Sequence, residues 1–235
     1  RPDIQTAVSF LTTRVQDPDV DDIKKLGRCI RYLQDTVDLV LTLSAEDFSS
    51  LCWWIDASYA VHPDMKSHTG LMMTIGKGCV YDRSIRQKIN TRSSTEAELV
   101  GVNDGMAMIL WMKHFLQAQG YQIDDNVIHQ DNQSAMLLEN NGIRSSGKNT
   151  KHIESRYYFI TDNIHRGEVR MEYCPTEKML ADFFTKPLQG KVFFEMRDMI
   201  LNTKTNVLEH RTQECVEAEN IPAVTYASVT KKGYK

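Results

Sequence analysis

Four acidic residues, Asp56, Glu98, Asp131 and Asp182, stand where they could do chemistry together. Asp56 closes the apolar run Cys52-Trp53-Trp54-Ile55, so its carboxylate is expected to be half-buried. A half-buried acid needs a partner, and no Lys or Arg stands close to it in sequence. Each of the other three has an ordinary reading by itself. Asp131 could be a helix N-cap, Glu98 the capping-box partner of Thr95, and Asp182 a solvated helix acid. The joint reading is sharper. Three or four carboxylates brought to one place cannot all stay ionised without a cation. All-oxygen ligation of that kind suits Mg²⁺ or Mn²⁺ rather than Zn²⁺. Two such ions about 3.5–4 Å apart would clamp the attacking and leaving oxygens of an in-line phosphoryl displacement.

The elements that must position these acids can be read from hydrophobic period and turn residues. Leu51 to Ile55 reads as a buried strand, and Gly70–Ile75 and Cys79–Ile85 as two more strands joined tightly at Gly76-Lys77-Gly78. A long helix is expected from Ser94 to about Gln119, with capping pairs Ser93/Glu96 and Thr95/Glu98 at its start and Gly120 at its end. A fourth strand begins at Val127-Ile128, and a helix follows over Gln133–Asn140. Ile153–His165 reads as a helix stopped by Gly167, Val169–Tyr173 as a fifth strand, and Met179–Thr185 as a last helix. The order β-β-β-α-β-α-α-β-α predicts an α/β fold with a five-stranded mixed sheet. It sets the four acids at strand ends and helix starts, where such domains carry functional groups. Ahead of this region, two helices are expected before Thr36, with Asp17-Pro18-Asp19 as the turn and cap between them. Asp38–Leu43 alternates apolar and polar residues, as a short strand would.

Composition limits the rest. At 41% hydrophobic and 25% charged residues the chain is an ordinary globular sequence with a core to bury. A net charge of −3 gives no global attraction to nucleic acid, so any such contact must come from local patches. Two segments qualify: Arg83, Arg86, Lys88 and Arg92 stand in a stretch free of acids, and Lys148 and Lys151 in a Ser/Gly-rich one. A solvated strand face and a surface loop are the alternatives. The chain shows no signal peptide and no apolar run near the roughly 20 residues of a membrane span. With its Arg1-Pro2 opening, it is expected to be a piece of a longer polypeptide, cytoplasmic or nuclear rather than secreted or membrane-bound. Five scattered cysteines without a C-x-x-C pair read as reduced thiols, and His62 with His68 lacks a nearby third ligand for zinc.

A resemblance joins these pieces. Asp56-Ala57-Ser58, SSTEAEL (Ser93–Leu99), DNQSA (Asp131–Ala135), KHIESRYYFI (Lys151–Ile160) and ADFFTKPL (Ala181–Leu188) together resemble the ribonuclease H domain of copia-type retrotransposon polyproteins. RPDI at the start and RYLQDT (Arg31–Thr36) resemble the segment that joins polymerase to nuclease in that family. The five motifs keep their order over about 130 residues, and the likeness runs from Arg1 to Leu201. It implies a helical connection at 1–49 and a ribonuclease H domain at 50–201; beyond Asn202 apolar periodicity fades, and a tail at 202–235 is expected to be disordered. The implied reaction is hydrolysis of the RNA strand of an RNA–DNA hybrid with two Mg²⁺ ions, for which Mn²⁺ would substitute, leaving a 3′-hydroxyl and a 5′-phosphate. The polymerase of the same polyprotein is the implied partner, in a virus-like particle.

Carried over by motif, Asp56 would bridge both ions. Glu98 and Asp131 would complete the ion nearer the leaving oxygen, and Asp182 would hold the ion that activates water. Glu98 is preferred to Glu96 because the family's metal-binding glutamate directly precedes the apolar residue, here Leu99. A helix turns about 100° per residue, so the two side chains face nearly opposite ways. Gln133 matches a hybrid-contacting position, and Ser58 would neighbour the 2′-hydroxyl. His152 is expected to order the start of its helix. Many ribonucleases H carry a histidine before the last helix. Here Pro175-Thr176-Glu177-Lys178 has none, so no general acid is assigned. Asp19-Val20-Asp21-Asp22 lacks the tyrosine and the strands of a polymerase hairpin and is set aside. Two rivals stay open: a hybrid-binding module without chemistry, and a DNA-strand transferase of the same superfamily.

Overall fold

Leu51, Trp53 and Ile55 are fully buried in the computed structural model, which describes residues 1–45, 48–141 and 154–203. They lie on one face of β1 (Ser50–Ser58), while Cys52, Trp54 and Asp56 take the other. β1 pairs antiparallel with β2 (His68–Thr74), which pairs antiparallel with β3 (Tyr81–Arg86). On its other edge β1 runs parallel to β4 (Asp125–Gln130), and β4 to β5 (Arg170–Tyr173). Among the described residues these strands form one mixed sheet in the order β3-β2-β1-β4-β5, the α/β architecture expected.

N-terminal to this sheet lie a 3-10 turn at Pro2–Ile4, α1 (Gln5–Thr12) and α2 (Val20–Asp35). α3 (Ser94–Ala118) covers one face of the sheet. Its residues Leu99, Val102, Met106 and Ile109 recur at i, i+3, i+7 and i+10 and pack against Leu51, Trp53, Ile55, Leu71 and Met73. Ser93 caps the helix by accepting from the Glu96 N–H, and Glu96 Oε2 accepts from the Arg92 N–H at 2.7 Å. That commits Glu96 to the helix start and leaves Glu98 to face elsewhere. α4 (Gln133–Asn141) and α5 (Glu154–His165) also lie on the α3 side.

The opposite face is built from α6 (Asp182–Thr185) and α7 (Gly190–Leu201), with Phe183, Phe184, Met196 and Ile200 around Met72. Here Asp56, Gly70 and Ser84 sit side by side on β1, β2 and β3. A Cβ on Gly70 would lie 2.7 Å from the Ala181 carbonyl oxygen and 2.9 Å from Phe184 Cβ, so only glycine admits α6 this close. Ser84 Oγ donates to the Phe184 carbonyl at 2.7 Å. A carbonyl only accepts, which fixes the direction of the chain behind it. His68 Nε2–H donates to Ser84 at 2.7 Å, and His62 Nε2–H to His68 Nδ1 at 3.0 Å. The two histidines are thus spent on this seam, with Phe10 of α1 stacked on both rings. α1 is further held by Thr6 Oγ1, which donates to the Phe183 carbonyl at 2.6 Å.

Several expectations change. Asp38–Leu43 forms no strand. Its backbone is held instead by Thr42 N–H to Leu201 O (2.9 Å) and by one bridge between Ser44 and Lys77. Gly76 and Gly78 are needed because this segment crosses directly over them. A Cβ on either would collide with the Ser44 or Thr42 carbonyl, and the hairpin connection runs over 75–80 rather than Gly76-Lys77-Gly78 alone. The helix expected at Met179–Thr185 is shorter and begins only at Asp182 as α6, after a separate 3-10 turn at Thr176–Lys178, and α7 adds a helix that periodicity did not single out. α2 is capped by Asp19 with Asp22 as its reciprocal partner, so that acidic run is structural. Its Val20, Ile23, Leu26 and Ile30 lie exposed rather than packed. Cys29, Cys52, Cys79 and Cys174 are free thiols. No helix among the described residues is long and apolar enough to cross a membrane.

Gly70→Ala should push α6 off the sheet and cost about 1–3 kcal/mol. A lower urea midpoint with an unchanged slope would show it, and an unmoved midpoint would mean that α6 is not seated on β2 as described.

Candidate metal centre

Asp56 lies near the end of β1, Asp131 just past β4, and Asp182 opens α6. Each is set by an element boundary, and one oxygen from each lies within 4.8 Å of the others. Asp56 and Asp182 are buried, while Asp131 is half-buried. Glu98, one turn into α3, is also buried and lines the same cleft, of about 520 Å³, with Asp56 and Asp131. Three of the expected acids therefore converge closely, and the fourth faces the same space.

The electrostatics are those of like charges confined. Burial pushes Asp56 up to about 6, with the charges of Asp182 and Asp131 adding to it and Lys186 opposing. Burial, then the charges of Asp56 and Asp131, holds Glu98 well above the usual carboxylate range. Asp182 is also raised, by burial first, against the pull of Lys186. Glu98 Oε2 is buried and has no hydrogen-bond partner. An acceptor left unpaired beside the Asp56 and Asp131 carboxylates fits a cation, and the donor set is entirely oxygen.

Sequence reasoning missed the groups that hold the acids. Thr185 Oγ1 donates to Asp56 Oδ2, and Thr176 Oγ1 to Asp131 Oδ2 at 3.2 Å. Lys186 Nζ lies 2.6 Å from Asp182 Oδ1 and 4.0 Å from Asp56 Oδ2. The signal for Lys186 was its place four residues after Asp182, a spacing that brings side chains together on a helical turn. Asn132, Ser134 and Tyr173 line the cleft unpredicted.

The residues expected to touch nucleic acid divide. Ser58 and Gln133 line the cleft, and Ser58 Oγ reaches toward the Thr185 carbonyl at 3.5 Å. Arg83, Arg86, Lys88 and Arg92 are not in its lining, and Arg86 pairs with Asp64 at 3.3 Å. Lys148, Lys151 and His152 lie outside the described residues, as does nearly all of the expected tail.

The curated relatives agree in kind. The retrovirus-related Pol polyprotein from transposon TNT 1-94 of Nicotiana tabacum is 29% identical over 201 residues, 85% of this chain and 15% of that protein. The Pol polyprotein from transposon RE2 of Arabidopsis thaliana is 33% identical over 195 residues, 82% of this chain and 13% of its own length. The chain has copia-type Pol polyproteins from plant transposons as its homologues. It spans only about one seventh of the length of these Pol relatives. No protein-family model matches it. LC11-RNase H1, isolated from compost by a metagenomic approach, aligns with a TM-score of 0.42 at 13% identity, over 58% of this chain and 92% of that chain.

Because its ordinary pKa lies below the raised one, Asp56 protonates more readily folded than unfolded. Its penalty on stability is absent in acid, grows as pH rises through about 6, and is complete at neutral pH, on the order of 3 kcal/mol. Asp56→Asn should therefore raise the melting temperature at pH 7 in chelator by several degrees, at roughly 2–4 °C per kcal/mol. The gain should vanish near pH 4, and a lower melting temperature at pH 7 would contradict the assigned electrostatics.

Proposed function

We propose that this chain is the ribonuclease H segment of its polyprotein and hydrolyses the RNA strand of RNA–DNA hybrids by two-metal-ion catalysis. The observation that carries the reading is the convergence of Asp56, Asp131 and Asp182 oxygens within 4.8 Å. Opposite oxygens around Mg²⁺ stand about 4.2 Å apart, twice a metal–oxygen distance, so a small inward movement would suffice. Asp56, Asp131, Asp182 and Glu98 would hold two Mg²⁺ ions, or Mn²⁺ in their place. Such ions, when bound, make water nucleophilic at neutral pH and offset charge on the leaving oxygen. The chain's own residues do the rest. Thr185 and Lys186 orient Asp56 and Asp182. Ser58 lies at the cleft wall where a 2′-hydroxyl would distinguish RNA, and Gln133 would meet the hybrid beside it. Arg83, Arg86, Lys88, Arg92, Lys148 and Lys151 would contact phosphate on either side, a role assigned on charge alone. Residues 1–49 would form the connection to the polymerase, 50–201 the nuclease and 202–235 a tail.

Incubating the chain with a labelled hybrid and Mg²⁺ tests this directly. Cleavage is expected, and Asp56→Asn should lower it by roughly 100-fold or more while leaving hybrid affinity similar or higher. A chain that shifts the hybrid without shortening it would be a binding module, and cutting confined to DNA would favour a strand transferase. Glu98→Gln should damage cleavage far more than Glu96→Gln, whose loss falls on the helix cap. The reverse ranking would mean that the wrong face of α3 was assigned.

A further inference from the structure

The lysine that follows α6 stands where a metal ion would compete with it. Lys186 Nζ is 2.6 Å from Asp182 Oδ1 and 4.0 Å from Asp56 Oδ2, two of the three carboxylates whose oxygens converge. A divalent ion drawing on both oxygens would need the space and the negative charge that this ammonium uses. The side chain is free to leave: it is 39% exposed and lines the cleft. Its backbone is not, since the Lys186 N–H donates to the Asp182 carbonyl at 2.9 Å and the preceding Thr185 is fixed to Asp56.

We propose that Lys186 is an internal counter-ion of the metal centre, which holds Asp56 and Asp182 together and is displaced from them when divalent metal binds. This rests on the metal reading above and adds an exchange to it. An ion that ejects a protein cation binds more weakly than the carboxylates alone would allow, by the free energy of that contact. In return the site is kept assembled by the chain itself, so the carboxylates need not be gathered at the moment of binding.

The exchange has two readouts besides activity. Mn²⁺ affinity, measured by calorimetry on the full chain, should tighten by roughly 5-fold or more in Lys186→Met and stay near the parent in Lys186→Arg. Side-chain ammonium ¹⁵N resonances followed during a Mg²⁺ titration should show the Lys186 signal moving with the same midpoint as binding. Weaker or unchanged Mn²⁺ binding in a Lys186→Met chain that melts like the parent would overturn the exchange, as would a Lys186 resonance that ignores Mg²⁺. If Lys186→Met fails to fold, the titration of the parent chain decides alone. No Mn²⁺ binding in the parent would remove the metal reading itself, and this inference with it.

Discussion

Negative charges gathered in a dry place repel one another and also lose their hydration, and this pair of penalties governs the molecule. Asp56 and Glu98 are both raised by burial first and by neighbouring carboxylates next. Neither would stay where it is on its own account. What holds them is the hydrophobic face behind: Leu51, Trp53, Ile55, Leu71, Leu99 and Ile109 are essentially inaccessible, each worth about 1.5–3 kcal/mol in burial. That sum outweighs a carboxylate penalty of about 3 kcal/mol. Asp56 and Asp131 stay at the ends of the inner strands β1 and β4 because the strands beneath them cannot leave the core.

Rigidity on the other face serves the same end. α6 is only four residues long and cannot be stable by itself, yet it carries Asp182. Gly70 lets it lie against the β2 backbone, Ser84 bonds its Phe184 carbonyl, and Thr185 ties it to Asp56. Three strands thus grip a single turn of helix. In this structure the N-terminal helices join in, through Thr6 and Phe10 of α1.

Much of this was legible in the sequence where local chemistry speaks. An apolar run ending in an acid, a Ser-capped long helix, and an acid just after a short strand could each be located to within a few residues. Their sum implied the sheet. What stayed hidden depends on distance along the chain. Asp56 needed a partner that no Lys or Arg near it in sequence could supply, and Thr185 and Lys186 supply it from far along the chain. His62 and His68 looked idle, because Ser84 and Phe184 are neighbours only after folding. Asp38–Leu43 alternates like a strand but meets a loop instead of a strand edge, and alternation says nothing about who lies alongside. The four carboxylates were read as a set from their places at strand ends and helix starts, and motif order then gave each its role. Glu98 shows the limit, since it shares the cleft without joining the tight cluster of three.

The one-way seam from His62 to the Phe184 carbonyl has a bearing on how the molecule meets acid. Burial keeps His68 neutral down to about 4, whereas Asp56 takes up its proton near 6. On acidification the carboxylate cluster therefore takes up a proton at Asp56 while His68, behind α6, is still neutral. A mildly acidic interval would reach the acids before the histidine seam, and neutralisation would restore their charge.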